Sequence, residues 1–202
     1  MAIWRREGEL TLAKRIWVSG YRKYELSVFG DKDPKITVIK YCLKRELRAL
    51  CEDGMEWLIT GCEQGCEQWA AEVGLELKAD YPQLQIAMMQ PYANFGNRWQ
   101  EESQEQLAAL KSRVDFSASV SKTDYKSGQQ LAAYGTFMSD HTDGALLLYD
   151  PEYPGKPKFN YNRVQNMPAS RHYNVSLITM YDLQEAAATL AEEEANGRFQ
   201  DF

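Results

Sequence analysis

The stretch "ITGCEQGCEQWA", Ile59 to Ala70, places Gly61, Glu63, Gln64, Gly65 and Glu67 where an apolar segment gives way to an amphipathic one. Glycines at such a junction let the backbone approach a ligand, and the helix N-terminus behind them favours an anion, so the pattern suits a phosphate or a nucleotide. It is not a Walker A loop, because no Lys-Ser/Thr pair follows, nor is it G-x-G-x-x-G. Carboxylates here gain from the helix dipole but repel a phosphate in direct contact. Glu67 therefore suits a ribose hydroxyl, or a water attacking a glycosidic carbon, and it is the candidate catalytic residue. A plain strand-to-helix turn accounts for the same residues without any ligand.

Cys62 and Cys66 form C-x3-C, which is neither a zinc-ribbon nor a thioredoxin spacing. With Cys42 and Cys51 they read as thiols, Cys42 on the apolar side of a helix. His141 and His172 have no helical partner, so no metal site is expected. At a helix N-terminus Cys66 would have a depressed pKa and be open to oxidation.

These residues need a scaffold, and short apolar strands alternating with helical patterns supply one. Strands are expected at "RIWVS" (15–19), "EWLIT" (56–60), "LQIAMM" (84–89, broken by Pro91), "DFSASVS" (115–121), "GALLLYDP" (144–151) and "NVSLITM" (174–180). Helices are expected from Pro34, capped by Asp33, to about Gly54; from the glycine loop to about Tyr81; over 97–113; over 129–139; and over 182–194. "PEYPGKPKF" (151–159) reads as a proline-rich loop. The fold class is α/β, with an open, mostly parallel sheet and helices on both faces. Such sheets bind ligands beyond the carboxyl ends of their strands. The loops there hold Ser19, Gly20, Tyr21, Arg22 and Tyr24; Gly61, Gln64, Gly65 and Glu67; Gln90, Pro91, Tyr92, Phe95 and Trp99; and Asp150, Tyr153, Lys156 and Lys158. Hydroxyls, glycines, rings and cations converging on one edge fit a nucleotide derivative.

The chain of 202 residues suits one α/β unit, with no internal repeat and no linker. Its net charge of −6 argues against capture of nucleic acid by bulk charge. Apolar runs stop well short of the roughly 20 residues a membrane span needs, and no signal-peptide pattern is visible, so a cytoplasmic protein without membrane contact is expected. Basic residues gather within 1–23 and Glu192, Glu193 and Glu194 stand in a row, which reads as solvated ends.

The segments "WVSGYRKYELSVFG", "EWLITGCEQGCEQWAAE", "YPQLQIAMMQPY" and "TDGALLLYDPE" resemble the YpsA family of Gram-positive bacteria, in the same order and over roughly residues 15–185. The resemblance implies a Rossmann-like three-layer α/β/α fold of the SLOG group, with residues 1–14 an N-terminal extension and 15–202 one domain. That group includes DprA, which binds single-stranded DNA, and the LOG enzymes, which cleave nucleoside monophosphates at the glycosidic bond. It implies a site for a nucleotide, ADP-ribose or NAD-like ligand, and an association with cell division, hence a cell-division protein as partner. The family's T/S-G-Y motif falls on Ser19, Gly20 and Tyr21, and its glycine loop on Gly61, Gly65 and Glu67. The LOG segment P-G-G-x-G-T has no counterpart here; "DPEYPGKPKF", with Gly155 alone, stands in its place.

Three readings follow. The first, a nucleotide-derivative sensor, needs only the pocket. The second, a nucleotide N-glycosidase or phosphodiester hydrolase, needs an acid/base partner for Glu67, for which Asp150 and Glu25 are the candidates. The third, a DprA-like DNA module, needs a positive stripe, for which Arg22, Lys23, Lys156 and Lys158 offer little. The sensor is the favoured reading.

Overall fold

The computed structural model describes residues 13–197; most of the 1–14 extension lies outside them. Six strands, β1 (Arg15–Gly20), β2 (Trp57–Thr60), β3 (Gln85–Tyr92), β4 (Phe116–Ser121), β5 (Gly144–Leu148) and β6 (Asn174–Ile178), form one sheet in the order β4-β3-β2-β1-β5-β6. Every pairing is parallel, with Ile16 beside Leu58 on one side and Val18 beside Leu146 on the other. Six helices connect and follow the strands: α1 (Pro34–Glu52), α2 (Cys66–Leu77), α3 (Glu101–Arg113), α4 (Gly128–Asp140), α5 (Lys158–Gln165) and α6 (Met180–Ala195).

Right-handed crossovers put helices reached by steps in one direction along the sheet on one face, and those reached by steps in the other direction on the opposite face. Accordingly α1 packs against α2 and α6, and α2 against α3, while α4 packs against α5 and against β3 and β4. The three layers enclose a core built on Trp17, Leu58, Ile86, Met88, Leu146 and Leu147, all nearly or fully buried. The central strands are mostly apolar because both faces are covered; all five residues of β5 are buried, whereas edge strand β6 alternates.

Local signals explain the starts of the helices. The Asp33 carboxylate accepts from the Lys35 N–H at 3.0 Å ahead of Pro34. Ser127 with Gln130, and Thr179 with Asp182, form capping boxes that start α4 and α6.

Several boundaries differ from the sequence expectation; β5 stops at Leu148 and α2 at Leu77, short of residues 151 and 81. Pro91 does not end β3, which runs on to Tyr92. Its pairing with β2 stops at Met88, so the missing N–H of Pro91 costs no bond on that side, while β4 continues beside it. The third helix begins at Glu101 rather than near Asn97, after a turn held by the Trp99 N–H on the Gly96 carbonyl. The proline-rich segment contains α5, with Pro157 just ahead of its first residue. At the last strand, Thr179 and Met180 belong to the start of α6.

Candidate functional site

The expected site residues fall into separate neighbourhoods at the carboxyl ends of the strands. The first is an open cleft of about 1010 Å³, lined by the segment after β1, the loops after β2 and β3, Tyr125 and Leu131. Arg22, Gln64, Tyr92 and Trp99 line it, together with Tyr24, Phe29, Glu63, Phe95 and Arg98. Its aromatic wall is continuous: the Tyr92 ring centroid lies 5.4 Å from Phe95 and 5.0 Å from Tyr125, and Phe95 lies 5.3 Å from Trp99. Phe29 and Tyr24, both exposed, also line the cleft. Arg22 pairs with Glu63 at 2.9 Å and Lys23 with Asp31 at 2.9 Å. Arg98 has no ion pair among the described residues. Burial pushes the Glu63 carboxyl up, against the pull of Arg22 and the Gln64 N–H. Burial also works against the charge of Arg22, but Glu63 and Tyr24 hold its pKa above the ordinary value.

The second neighbourhood is a buried polar knot around Glu67. Ser19 donates to one Glu67 oxygen at 2.9 Å, and the Glu63 N–H donates to the other at 2.9 Å. Asn160, from α5, donates to the Ser19 hydroxyl at 3.0 Å. The Tyr134 hydroxyl of α4 is buried and has no hydrogen-bond partner among the described residues; burial, with Glu67 adding to it, raises its pKa well above normal. Gly61 leaves room for these groups, since a methyl there would collide with the Glu67 carboxyl and stand 2.7 Å from the Tyr134 oxygen. Burial pushes Glu67 up to about 7 despite its two donors. Glu67 thus joins β1, the β2–α2 loop and the α4–α5 layer, and it does not line the cleft.

In the third neighbourhood, Tyr21 and Asp150 tie β1, β5 and α6 together. The Tyr21 hydroxyl accepts from the Asp150 N–H at 3.0 Å and donates to the Tyr153 carbonyl at 2.6 Å. The Asp150 carboxylate accepts from the N–H groups of Glu152 (2.9 Å) and Met180 (3.1 Å). Glu25 accepts from the Arg22 and Lys156 N–H groups, at 2.9 and 2.7 Å. Neither carboxylate faces Glu67 with a free oxygen. Tyr21 bonds to the turn after β5 across the point between β1 and β5 where the strand order reverses and a ligand would ordinarily sit.

The remaining residues serve close packing. Gly65 has φ of 116°, and a methyl on it would stand 2.5 Å from the Lys23 nitrogen. It bridges Arg22, with the Lys23 N–H donating to the Gln64 carbonyl and the Cys66 N–H to the Tyr21 carbonyl. The chain's own backbone therefore takes the close approach that glycine allows there. Gly20 faces Leu148 and the Cys66 sulfur. Pro91 is buried within β3, and Lys158 is exposed with its ammonium 5.3 Å from the Phe159 ring. The expectation of a low Cys66 pKa is overturned: the thiol is buried beside Leu148 at the carboxyl end of β5, and burial raises its pKa far above normal. Burial likewise pushes Cys62 up to about 12. Among the described residues no cluster of three or more His, Cys, Asp or Glu could hold a metal ion, and no helix is long and apolar enough to cross a membrane.

Sequence reasoning missed Tyr134, Asn160, Arg98 and Tyr125. The recurrence of Tyr161 and Val164 after Pro157 was the available signal for α5, and with it for Asn160. No spacing within α4 points Tyr134 at a loop some seventy positions earlier.

A parallel sheet covered on both faces, with a cleft beyond its strand ends, defines a three-layer Rossmann-like α/β/α protein. Over residues 16–183 the chain matches the family model described as the YspA SLOG family. It is 53% identical over 189 residues to a UPF0398 protein of Lacticaseibacillus casei, covering 94% of this chain and 98% of that protein. A UPF0398 protein of Lactiplantibacillus plantarum is 52% identical over 183 residues, 91% and 97% of the two chains. One from Leuconostoc citreum is 48% identical over 185 residues, 92% and 98%. The chain belongs to this YpsA family of SLOG proteins.

Proposed function

We propose that this protein binds a nucleotide or nucleotide derivative in the aromatic cleft and acts as a sensor rather than an enzyme. The observation that carries the reading is the joined wall of Tyr92, Phe95, Trp99 and Tyr125 beside Arg22 and Arg98. Ring faces stack on a base while guanidinium groups receive phosphate, and the cleft is large enough for a ligand of ADP-ribose or NAD size. Sensing is favoured over hydrolysis because Glu67 has both oxygens occupied and lies off the cleft wall. The carboxylates that do line the wall include Glu63 and Asp31, each held by a cation. The likeness to YpsA proteins extends the proposal to a protein partner in cell division that reads the ligand state.

The test is a thermal-shift screen of AMP, ADP-ribose, NAD and a short single-stranded DNA against wild type and Tyr92→Ala. A ligand at a hundred times its Kd adds about 2.7 kcal/mol of apparent stability. Stabilisation of wild type by a nucleotide, lost in Tyr92→Ala, supports the reading. Conversion of the nucleotide to base and sugar phosphate would replace the sensor with a hydrolase, and stabilisation by DNA alone would replace it with a DNA module.

A further inference from the structure

Inside the cleft, the group best placed to meet an anion already holds one. The Arg22 guanidinium is paired with the Glu63 carboxylate at 2.9 Å, and the two side chains retain 34% and 24% of their exposure. Both line the cleft, so the pair is open to a ligand and not sealed in the core. Glu63 stands three residues ahead of Cys66, the first residue of α2. A guanidinium and a nearby helix start are the features with which proteins receive a phosphate. Here a side-chain carboxylate occupies them.

The backbone on both sides of the pair is fixed. The Glu63 N–H is tied to Glu67, and Arg22 is bridged to Gly65. Only the two side chains can separate without disturbing the fold. Arg22 has another contact to turn to, since its guanidinium also reaches the Tyr24 hydroxyl at 3.5 Å.

We propose that Glu63 is an internal competitor for the anion site of Arg22: a phosphate-bearing ligand must displace its carboxylate, and the pair thereby sets the affinity threshold of the cleft for anions. This rests on the proposed nucleotide reading and adds its regulation. An alternative role for Glu63, acceptor for ribose hydroxyls, predicts the opposite response to its removal. Competition acts on charge alone, so it separates ligands that differ only in their phosphate.

The experiment compares AMP, adenosine and inorganic pyrophosphate by calorimetric titration on wild type, Glu63→Gln, Glu63→Ala and Arg22→Gln. Removing the competing charge is expected to tighten AMP and pyrophosphate by roughly ten-fold and to leave adenosine within about two-fold. Arg22→Gln is expected to erase the preference for AMP over adenosine. Equal weakening of AMP and adenosine in both Glu63 variants makes Glu63 a ribose acceptor and overturns the proposal. Unchanged AMP and pyrophosphate affinities overturn it as well, while leaving the nucleotide reading intact if Tyr92→Ala still abolishes AMP binding. Tighter pyrophosphate binding without any nucleotide binding would keep the competing carboxylate and discard the nucleotide reading. Binding of none of the three probes to any variant removes both.

Discussion

Glu67 is a carboxyl group in a place that favours its neutral form. Two donors are not enough to offset the loss of water, and its pKa rises from 4.5 to about 7. The folded protein then holds this proton more tightly than the unfolded chain does. The stabilisation from this proton is full below about pH 4.5, declines as the pH rises, and is gone above about 7, a fall of roughly 3 kcal/mol at most. Glu63, also raised, acts in the same sense. Asp31, Asp115 and Asp143, whose values are lowered, matter only near and below their ordinary 3.8 and leave this window alone. Urea unfolding at pH 5 and pH 8 should therefore show a drop in wild type that is much smaller in Glu67→Gln; parallel profiles would mean that Glu67 is ionised throughout. Gly65 offers a second residue-scale expectation. With φ of 116° and the Lys23 nitrogen in the way, Gly65→Ala should lower stability by about 3 kcal/mol or more, read from the urea midpoint. Loss of ligand binding in that variant would report a damaged loop, which is why Tyr92 and Arg22 make cleaner probes of the cleft.

At the scale of elements, the clamp between β5 and α6 depends on one side chain. Asp150 accepts from the Met180 N–H, one of the helix-start donors that have no partner within α6 itself. Asp150→Ala leaves that N–H and the one of Glu152 without their acceptor and should cost about 2 kcal/mol, with faster amide exchange in the first turn of α6; Asp150→Asn should fall between. Unchanged exchange at Met180 would show that the clamp carries no weight. The sheet, and most of the elements that make it, were legible in the sequence because apolar runs such as "GALLLYD" and the start signals at Asp33–Pro34 are local. Pro91 was misleading because its effect depends on which neighbour strand has already ended, a fact of register. Asn160 went unseen because the prolines before α5 mask a helix of 8 residues. The site itself was half legible. Arg22, Gln64, Tyr92 and Trp99 do share one cleft, while Ser19, Gly61 and Glu67 meet elsewhere, because the tight bridge at Gly65 turns the loop away from the glycine-lined approach that its spacing suggests.

Across the whole molecule the two helical layers are unequal. On one face, α1 buries Ile39, Cys42, Leu43, Leu47 and Cys51, and α2 buries most of its length. On the other, α4 buries only Gly135, Met138 and Ser139, and α5 only Val164. The thin layer meets the ends of the strands through the Asn160–Ser19 hydrogen bond and through Tyr134, Phe137 and Tyr161, which pack against the core only half-buried. Local opening follows the places where apolar burial is least. Amides of α4 and α5 should therefore exchange with an opening free energy lower by about 2 kcal/mol or more than those of β1 and α2, whose residues sit in the main core. The gap should also depend on pH. Opening the thin layer returns water to Glu67, which relieves the penalty on its charged form, so the opening should become easier from pH 5 to pH 8 in wild type and stay level in Glu67→Gln. Native-state hydrogen exchange at the two pH values, corrected for intrinsic exchange rates, measures both. Equal protection in the two layers at both values would mean that the polar knot holds the layers as firmly as the core does, and that the molecule opens only as a whole.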